Sequence, residues 1–255
     1  MMSAPSPRLD ILIVFYSRFG TVAALAEQIA AGARTVDGVN VSLLAVEERP
    51  VGEALPDESE HDLEFRRART VSRFANADAI VVGAPAYFGS MASPVKRLFE
   101  DCVTAAVPPV TDNARPWRHH LFRDKVGAAF TSSATPHGGN EVTLQSILTL
   151  MMHLGMVIVT PGQREPLLEH VAAPYGATAV SGAQGTALPT DEEAVAAREL
   201  GQRVAEVAQW VARGRIAWHS ERDLVERGYR PGDHRDEPPP AAVDSDGDPA
   251  TERPA

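Results

Sequence analysis

Apolar residues fall along this chain in two alternating rhythms. Asp10–Tyr16 (DILIVFY) and Ala79–Ala84 (AIVVGA) are continuous apolar runs of strand length, the pattern of strands buried on both faces of a parallel sheet. Asn40–Val46, Val126–Thr131 and Met156–Thr160 (MVIVT) read as three further strands. Between them the spacing turns helical. Val22–Val36 sets Leu25, Ile29 and Ala33 on one stripe, and Leu63–Phe74, Pro94–Val103, Asn140–Leu154 and Asp191–Arg213 read as helices. Pro94 stands near a first turn, where its missing N–H does no harm. Thr190 followed by Glu193 makes a capping box. Glu47–Asp62 is polar, carries Pro50 and Pro56, and reads as an irregular connection. Five strands alternating with helices predict an α/β fold: a doubly wound five-stranded parallel sheet with helices on both faces. Ligands of such sheets bind beyond the carboxyl ends of the strands. The loops after the first, third and fourth strands are therefore where chemistry is expected.

Composition narrows the picture. The chain has 255 residues, 44% of them hydrophobic and 23% charged, an ordinary globular mix. The last stretch, Pro231–Ala255, is rich in acids and proline and has no Leu, Ile, Phe or Trp. It cannot bury enough apolar surface to offset its ordering entropy. The expected organisation is a flexible arm over 1–8, one folded domain over 9–214, and an extension over 215–255 that is disordered from about 231. The net charge of −10 argues against nucleic acid, which selects basic surfaces. A lone cysteine, Cys102, excludes an internal disulfide and a cysteine-based metal site, and points to a reducing, cytoplasmic setting. No apolar run reaches the length of a bilayer span, and Met1–Arg8 lacks the core of a signal peptide.

Three loops carry candidate chemistry. Ser17-Arg18-Phe19-Gly20-Thr21-Val22 leaves a strand and opens a helix, where outward N–H groups, the helix dipole and two hydroxyls suit a phosphate. It matches neither GxGxxG nor the Walker pattern, and an ordinary capped turn uses the same residues. Pro85–Met91 sets Tyr87 and Phe88 side by side between proline and glycine, able to pack on a flat conjugated ring or simply to cover the sheet end. Thr131–Asn140 (TSSATPHGGN) crowds hydroxyls and glycines at another helix start and offers donors to phosphate or to a polar ring edge. His137 in it is either a donor to a ligand or a solvated loop histidine. His153, among Met151, Met152 and Leu154, reads on its own as a satisfied core residue. Trp117, beside Pro116 and near His119 and His120, is a third aromatic able to cover a ring. No carboxylate or cysteine completes a metal spacing around those histidines. A G-x-S-x-G elbow and an H-E-x-x-H motif are both absent. Catalysis, where present, falls to a cofactor.

The segments SRFGT, GAPAYFGSMASPVKRLFED, FTSSATPHGGNEVTLQSILTLMMHLGMVIV, APYGATAVSGAQG and DEEAVAARELGQRVAEVA occur in this order. Together they resemble the WrbA-type NAD(P)H:quinone oxidoreductases, flavodoxin-like FMN proteins, over about residues 9–213. The resemblance implies roles by position. Ser17, Arg18, Phe19, Gly20, Thr21 and Val22 match the FMN phosphate loop. Phe19 stands where the family usually has a tyrosine near the nicotinamide. Ala86, Tyr87 and Phe88 match the segment packing on the isoalloxazine. Ser132, Ser133, Ala134, Thr135, His137 and Gly138 match the loop holding ribityl and ring oxygens. Trp117 matches a tryptophan walling the quinone pocket, and Phe19 with Trp117 forms the implied substrate contact. His153 matches a histidine that contacts FMN, sometimes from a neighbouring subunit.

What the resemblance implies is an FMN-dependent oxidoreductase that carries two electrons from NADH or NADPH to a quinone and releases the hydroquinone. It implies self-association as a homodimer or homotetramer, with no metal and no membrane insertion. Two other readings of the residues remain open at this stage: a flavodoxin-type electron carrier, and a non-catalytic interaction protein on the same fold.

Overall fold

The computed structural model describes residues 8–48, 53–56, 58–105, 121–163 and 173–221. The elements run β1 (Leu9–Phe15), α1 (Thr21–Ala33), β2 (Val39–Ala45), α2 (Glu60–Asn76), β3 (Ala79–Tyr87), β4 (Ser90–Met91), α3 (Ser93–Ala105), β5 (Val126–Ser133), α4 (Asn140–His153), β6 (Val157–Ile158), β7 (Ala177–Val180) and α5 (Asp191–Glu221). The sheet order is β2-β1-β3-β5-β6. All pairs along this path are parallel, and the order is that of a flavodoxin-like doubly wound sheet, the class expected from the sequence, which left the order open.

The continuous apolar runs are explained by the alternation of side chains across the sheet. Leu9, Ile11, Ile13 and Phe15 of β1 face one way, with Val81 and Phe130, against Leu25 and Ile29 of α1 and Leu200 and Val204 of α5. Leu12, Val14 and Tyr16 face the other way, with Ile80 and Val82, against Phe74, Phe99, Leu144 and Ile147 from α2, α3 and α4. On that second side Phe74 meets Phe99 and Phe122 edge to face and those two tilt against each other, with centroids 5.4–5.5 Å apart. Cys102 is buried in the same cluster. Burial, and secondarily Asp101, pushes its thiol up to about 12, so it stays protonated and is no nucleophile.

On the first side, α1 and α5 touch backbone to backbone. A Cβ at Gly32 would lie 1.8 Å from the Arg198 carbonyl oxygen, and one at Gly201 would lie 2.0 Å from the Ile29 carbonyl oxygen. Only glycine permits that approach.

The structure departs from the expected elements at five places. The Glu47–Asp62 connection ends earlier, because α2 starts at Glu60 with Ser59 as N-cap accepting from the Asp62 N–H. Pro85–Met91 is not a free loop: β3 runs through Tyr87 and returns as β4, pairing Ala86 with Met91 and Tyr87 with Ser90. The last expected strand, Met156–Thr160, pairs only over Val157–Ile158. Its place beside the end of β5 is taken by β7, which the apolar pattern does not mark. Finally, α5 continues past Arg213 to Glu221. The disordered segment expected from about 231, the arm over 1–7 and Trp117 lie outside the described residues.

Candidate functional site

Because β1, β3, β5 and β7 are parallel, their carboxyl ends open onto one edge of the sheet. Four segments meet there: Tyr16–Gly20, the β3–β4 hairpin, Ala134–Gly139, and residues 181–190 after β7.

The first segment forms a cradle of backbone N–H groups at a helix start. The Tyr16 N–H still donates to the Gly83 carbonyl at 3.1 Å, holding the chain to β3 until it turns. Gly20 then caps α1 with φ 104. A Cβ there would meet nothing within 4 Å, so glycine is required by the backbone angle and the space beside it is open. The Ser17 Oγ accepts from the N–H of Gly20 at 3.2 Å and of Ala23 at 3.1 Å, and its own hydrogen is left to donate. The Thr21 and Val22 N–H groups, first in the helix, have no intrahelical partner, and no described residue accepts from them. The first turn of α1 holds no acid. Arg18 and Phe19 are exposed, the guanidinium carbon 5.6 Å from the ring centroid.

Thr21 corrects one expectation. Its hydroxyl is not a free donor: it is buried and donates to the Ala187 carbonyl at 2.7 Å, with the Gly185 carbonyl at 3.4 Å. Only its N–H belongs to the cradle.

The hairpin is the second segment. Phe88 and Gly89 occupy its two-residue turn with φ 55 and 73, the double positive φ of a type I′ turn. For a phenylalanine this is a strained backbone, and the ring stands fully in solvent at 109% exposure. Ala86 and Tyr87 are half-buried below it. The Met91 N–H donates to the Ser146 Oγ of α4 at 3.1 Å, which fixes the hairpin to that helix.

The third segment is braced more than it is open. Thr131 donates to the Ala84 carbonyl at 2.6 Å, and Ser133 donates to the Thr135 carbonyl at 2.7 Å. Those hydroxyls, expected as ligand donors, hold the loop instead. Ser132 is buried, while Ala134, Thr135 and His137 are exposed. Gly138 turns back with its N–H on the Thr135 carbonyl; a Cβ there would lie 2.7 Å from the Ser133 side chain. Gly139 caps α4 with φ 89.

His153 is not brought to this edge. It ends α4, about 20 Å along the helix axis from Asn140 at 1.5 Å per residue, and it is exposed.

Several residues at the edge carry no local signal. Tyr16 donates to the Glu48 carboxylate at 2.6 Å. That hydrogen bond, with burial and the nearby charge of Glu48, raises the phenol to about 12. Glu193 is buried, and its two oxygens accept from Val180 N–H at 2.9 Å and Thr190 N–H at 2.8 Å. The capping box marks the second of these contacts; nothing local marks the first. The Asn140 Oδ1 and Thr143 Oγ1 are buried at the start of α4 without a partner. Among the described residues no cluster of His, Cys, Asp or Glu is built to hold a metal, and no helix is long and apolar enough to cross a membrane.

Known proteins share this architecture. A family model described as NADPH-dependent FMN reductase matches residues 16–164. A protein of Acidovorax ebreus (strain TPSY) named NAD(P)H dehydrogenase (quinone) is 36% identical over 208 residues, covering 78% of this chain and 96% of its own. One of the same name from Chromohalobacter salexigens is 35% identical over 213 residues, covering 79% and 98%. Among solved structures, a WrbA-like flavodoxin from Agrobacterium tumefaciens superposes with a TM-score of 0.53 at 25% identity, covering 79% of this chain and 98% of that one.

Proposed function

The chain belongs to the NADPH-dependent FMN reductase family, and we propose that it works there as an FMN-dependent NAD(P)H:quinone oxidoreductase. The observation that carries the cofactor is the acid-free N-terminus of α1, with two N–H groups open beside Gly20. That is a site for a dianionic phosphate, and its donors fit the FMN phosphate. FMN supplies the two-electron exchange between NAD(P)H and quinone that the protein's side chains cannot perform.

The residues around it bind and orient. The Ser17 hydroxyl accepts from two N–H groups and turns its own hydrogen toward the phosphate. Thr21 and Val22 add backbone donors, and Arg18, Phe19 and Gly20 shape the loop. Ala86, Tyr87 and Phe88 present an apolar wall to a flat ring system. Ser132, Ser133, Ala134, Thr135, His137 and Gly138 line the opposite side, where backbone donors and His137 serve ring and ribityl oxygens. Phe19, 58% exposed, is a face on which a flat substrate stacks. Trp117 is the other substrate contact in this reading. Stacking there adds about 0.5–1.5 kcal/mol beyond buried area.

His153, far from the edge in its own chain, serves the cofactor from a second copy, which makes the active form a homodimer or homotetramer. The cytoplasm is the compartment this reading assigns, on the strength of a single buried thiol.

The visible spectrum of the purified protein tests the reading. Oxidised-flavin bands are expected, bleached by NADH or NADPH without oxygen and restored by benzoquinone. A protein that stays colourless in micromolar FMN, or whose flavin NAD(P)H does not bleach, overturns it.

A further inference from the structure

Residues 181–190, after β7, belong to none of the three loops the sequence singles out, yet they touch two of them. The loop is closed on itself, with the Ala187 N–H on the Ser181 carbonyl at 2.9 Å. Its two ends are fixed by one side chain. Glu193 Oε1 accepts from the Val180 N–H, where β7 ends, and Oε2 accepts from the Thr190 N–H, where α5 begins. The Thr190 Oγ1 returns the contact by accepting from the Glu193 N–H at 3.2 Å. A capping box needs only one of those oxygens; the second reaches across the loop. A carboxylate is costly to bury unless its oxygens are satisfied, and here it is 5% exposed with both oxygens on backbone N–H groups.

The loop held in this way takes the Thr21 hydroxyl on its Ala187 carbonyl at 2.7 Å. Thr21 is the first residue of α1, and its N–H is one of the two open donors of the cradle. The loop also reaches the β5 side, because the Ser181 N–H donates to the Ser133 carbonyl at 2.8 Å. One buried carboxylate therefore fixes a loop whose Ala187 carbonyl takes the hydroxyl of the residue that supplies a cradle N–H.

We propose that Glu193 is a positioning residue for the cofactor phosphate, acting through residues 181–190 and the Thr21 hydroxyl, so that it governs the preference for FMN over riboflavin. This rests on the FMN reading above. Glu193 touches no ligand itself. The chemistry is specific to a carboxylate: glutamine offers one acceptor oxygen, and its NH2 group would face a backbone N–H, releasing one end of the loop. Thr21→Val removes the other end of the relay while keeping the branched shape.

The test is titration of the full-length protein with FMN and with riboflavin, followed by flavin fluorescence, for wild type, Glu193→Gln, Thr21→Val, Thr21→Ser and the Glu193→Gln/Thr21→Val double variant. Glu193→Gln and Thr21→Val are each expected to weaken FMN by about 10-fold, the scale of one misdirected charge-assisted hydrogen bond, and riboflavin by less than about 3-fold. Thr21→Ser should keep the wild-type preference, and the double variant should be no worse than the weaker single. Equal loss for both flavins would show that Glu193 only supports the fold. Additive effects in the double variant would overturn the shared route and make Thr21 an independent phosphate contact. If Glu193→Gln does not fold, an unchanged preference in Thr21→Val overturns the proposal by itself. A wild type that binds neither flavin would overturn the cofactor reading instead, and the proposal with it.

Discussion

α1 and α4 begin alike and end up with different chemistry. Each is entered through a glycine in the left-handed region, Gly20 at φ 104 and Gly139 at φ 89, and neither glycine has a side chain to cap its helix. Each starts beyond the carboxyl end of a central strand. The first turn of α1 holds no acid, and its glycine faces open space. α4 carries Glu141 in its first turn, and a Cβ on Gly139 would lie 3.3 Å from the Gly89 Cα of the hairpin. Behind that hairpin, Asn140 and Thr143 keep buried oxygens without partners. The helix dipole is the same at both places. What separates an open helix start from a packed corner is the room beside the glycine and the charge of the next few side chains.

Giving α1 the acid that α4 carries should break the contrast most strongly. Ala24→Glu is expected to weaken FMN by about 2 kcal/mol, roughly 30-fold, from repulsion of a nearby dianion at a dielectric between water and protein. Glu141→Gln should leave FMN affinity within about 2-fold. Fluorescence titration reads both, and equal effects would end the distinction.

The glycines come next. A Cβ in the left-handed region costs about 1–2 kcal/mol at either position. Gly139→Ala must also push the hairpin back, so its melting temperature should fall further than that of Gly20→Ala, by about 2–4 °C for each additional kcal/mol in a chain of this size. A larger fall for Gly20→Ala would mean that the open space beside it is closed in solution.

Ser17→Ala removes a hydroxyl that accepts from two N–H groups of the α1 turn. Loss of such a cap costs about 1 kcal/mol. The stability loss should be seen without ligand, and a several-fold FMN loss should accompany it, with riboflavin nearly unaffected.

An effect confined to high pH is in the residue leading into the cradle. The Tyr16 phenol is raised to about 12 by its bond to Glu48, whereas an unfolded tyrosine ionises near 10. Between those values the unfolded chain has lost the proton and the folded one keeps it. This contribution to stability is therefore complete below about pH 10 and is lost as pH rises toward 12. Tyr16→Phe should flatten the fall in stability over that window, and Glu48→Gln should bring the phenol's absorbance titration back toward 10.

How far the sequence reveals all this depends on how local each cause is. The strands of the sheet centre are legible because burial on both faces leaves uninterrupted runs such as DILIVFY and AIVVGA. The capping box from Thr190 to Glu193 is legible because it spans three residues. The hairpin is not, because Tyr87-Phe88-Gly89-Ser90 lacks the Asn-Gly or Asp-Gly pair that normally announces a type I′ turn. β7 is missed because ATAV is short and weakly apolar, and its place in the sheet is fixed by β5. The cradle's position follows from the strand-to-helix order. Which hydroxyls are free in it does not, since the Thr21 hydroxyl is claimed by Ala187, 166 residues away along the chain. Tyr16 and Glu48 likewise meet only once β1 and β2 are paired.

α1 leaves the ribosome early and α5 late, yet the two meet backbone to backbone at Gly32 and Gly201. At about 5–20 residues per second, roughly 10–30 s separate the synthesis of those two glycines. During that interval the cradle's helix exists without the surface it will lean on and without the loop that takes the Thr21 hydroxyl. The α1 cradle is thus finished only after β7 and α5 are made, and a nascent or truncated chain ending before β7 has the cradle's sequence but not its geometry. Cofactor loading at that cradle would then report that β7 and α5 are in place.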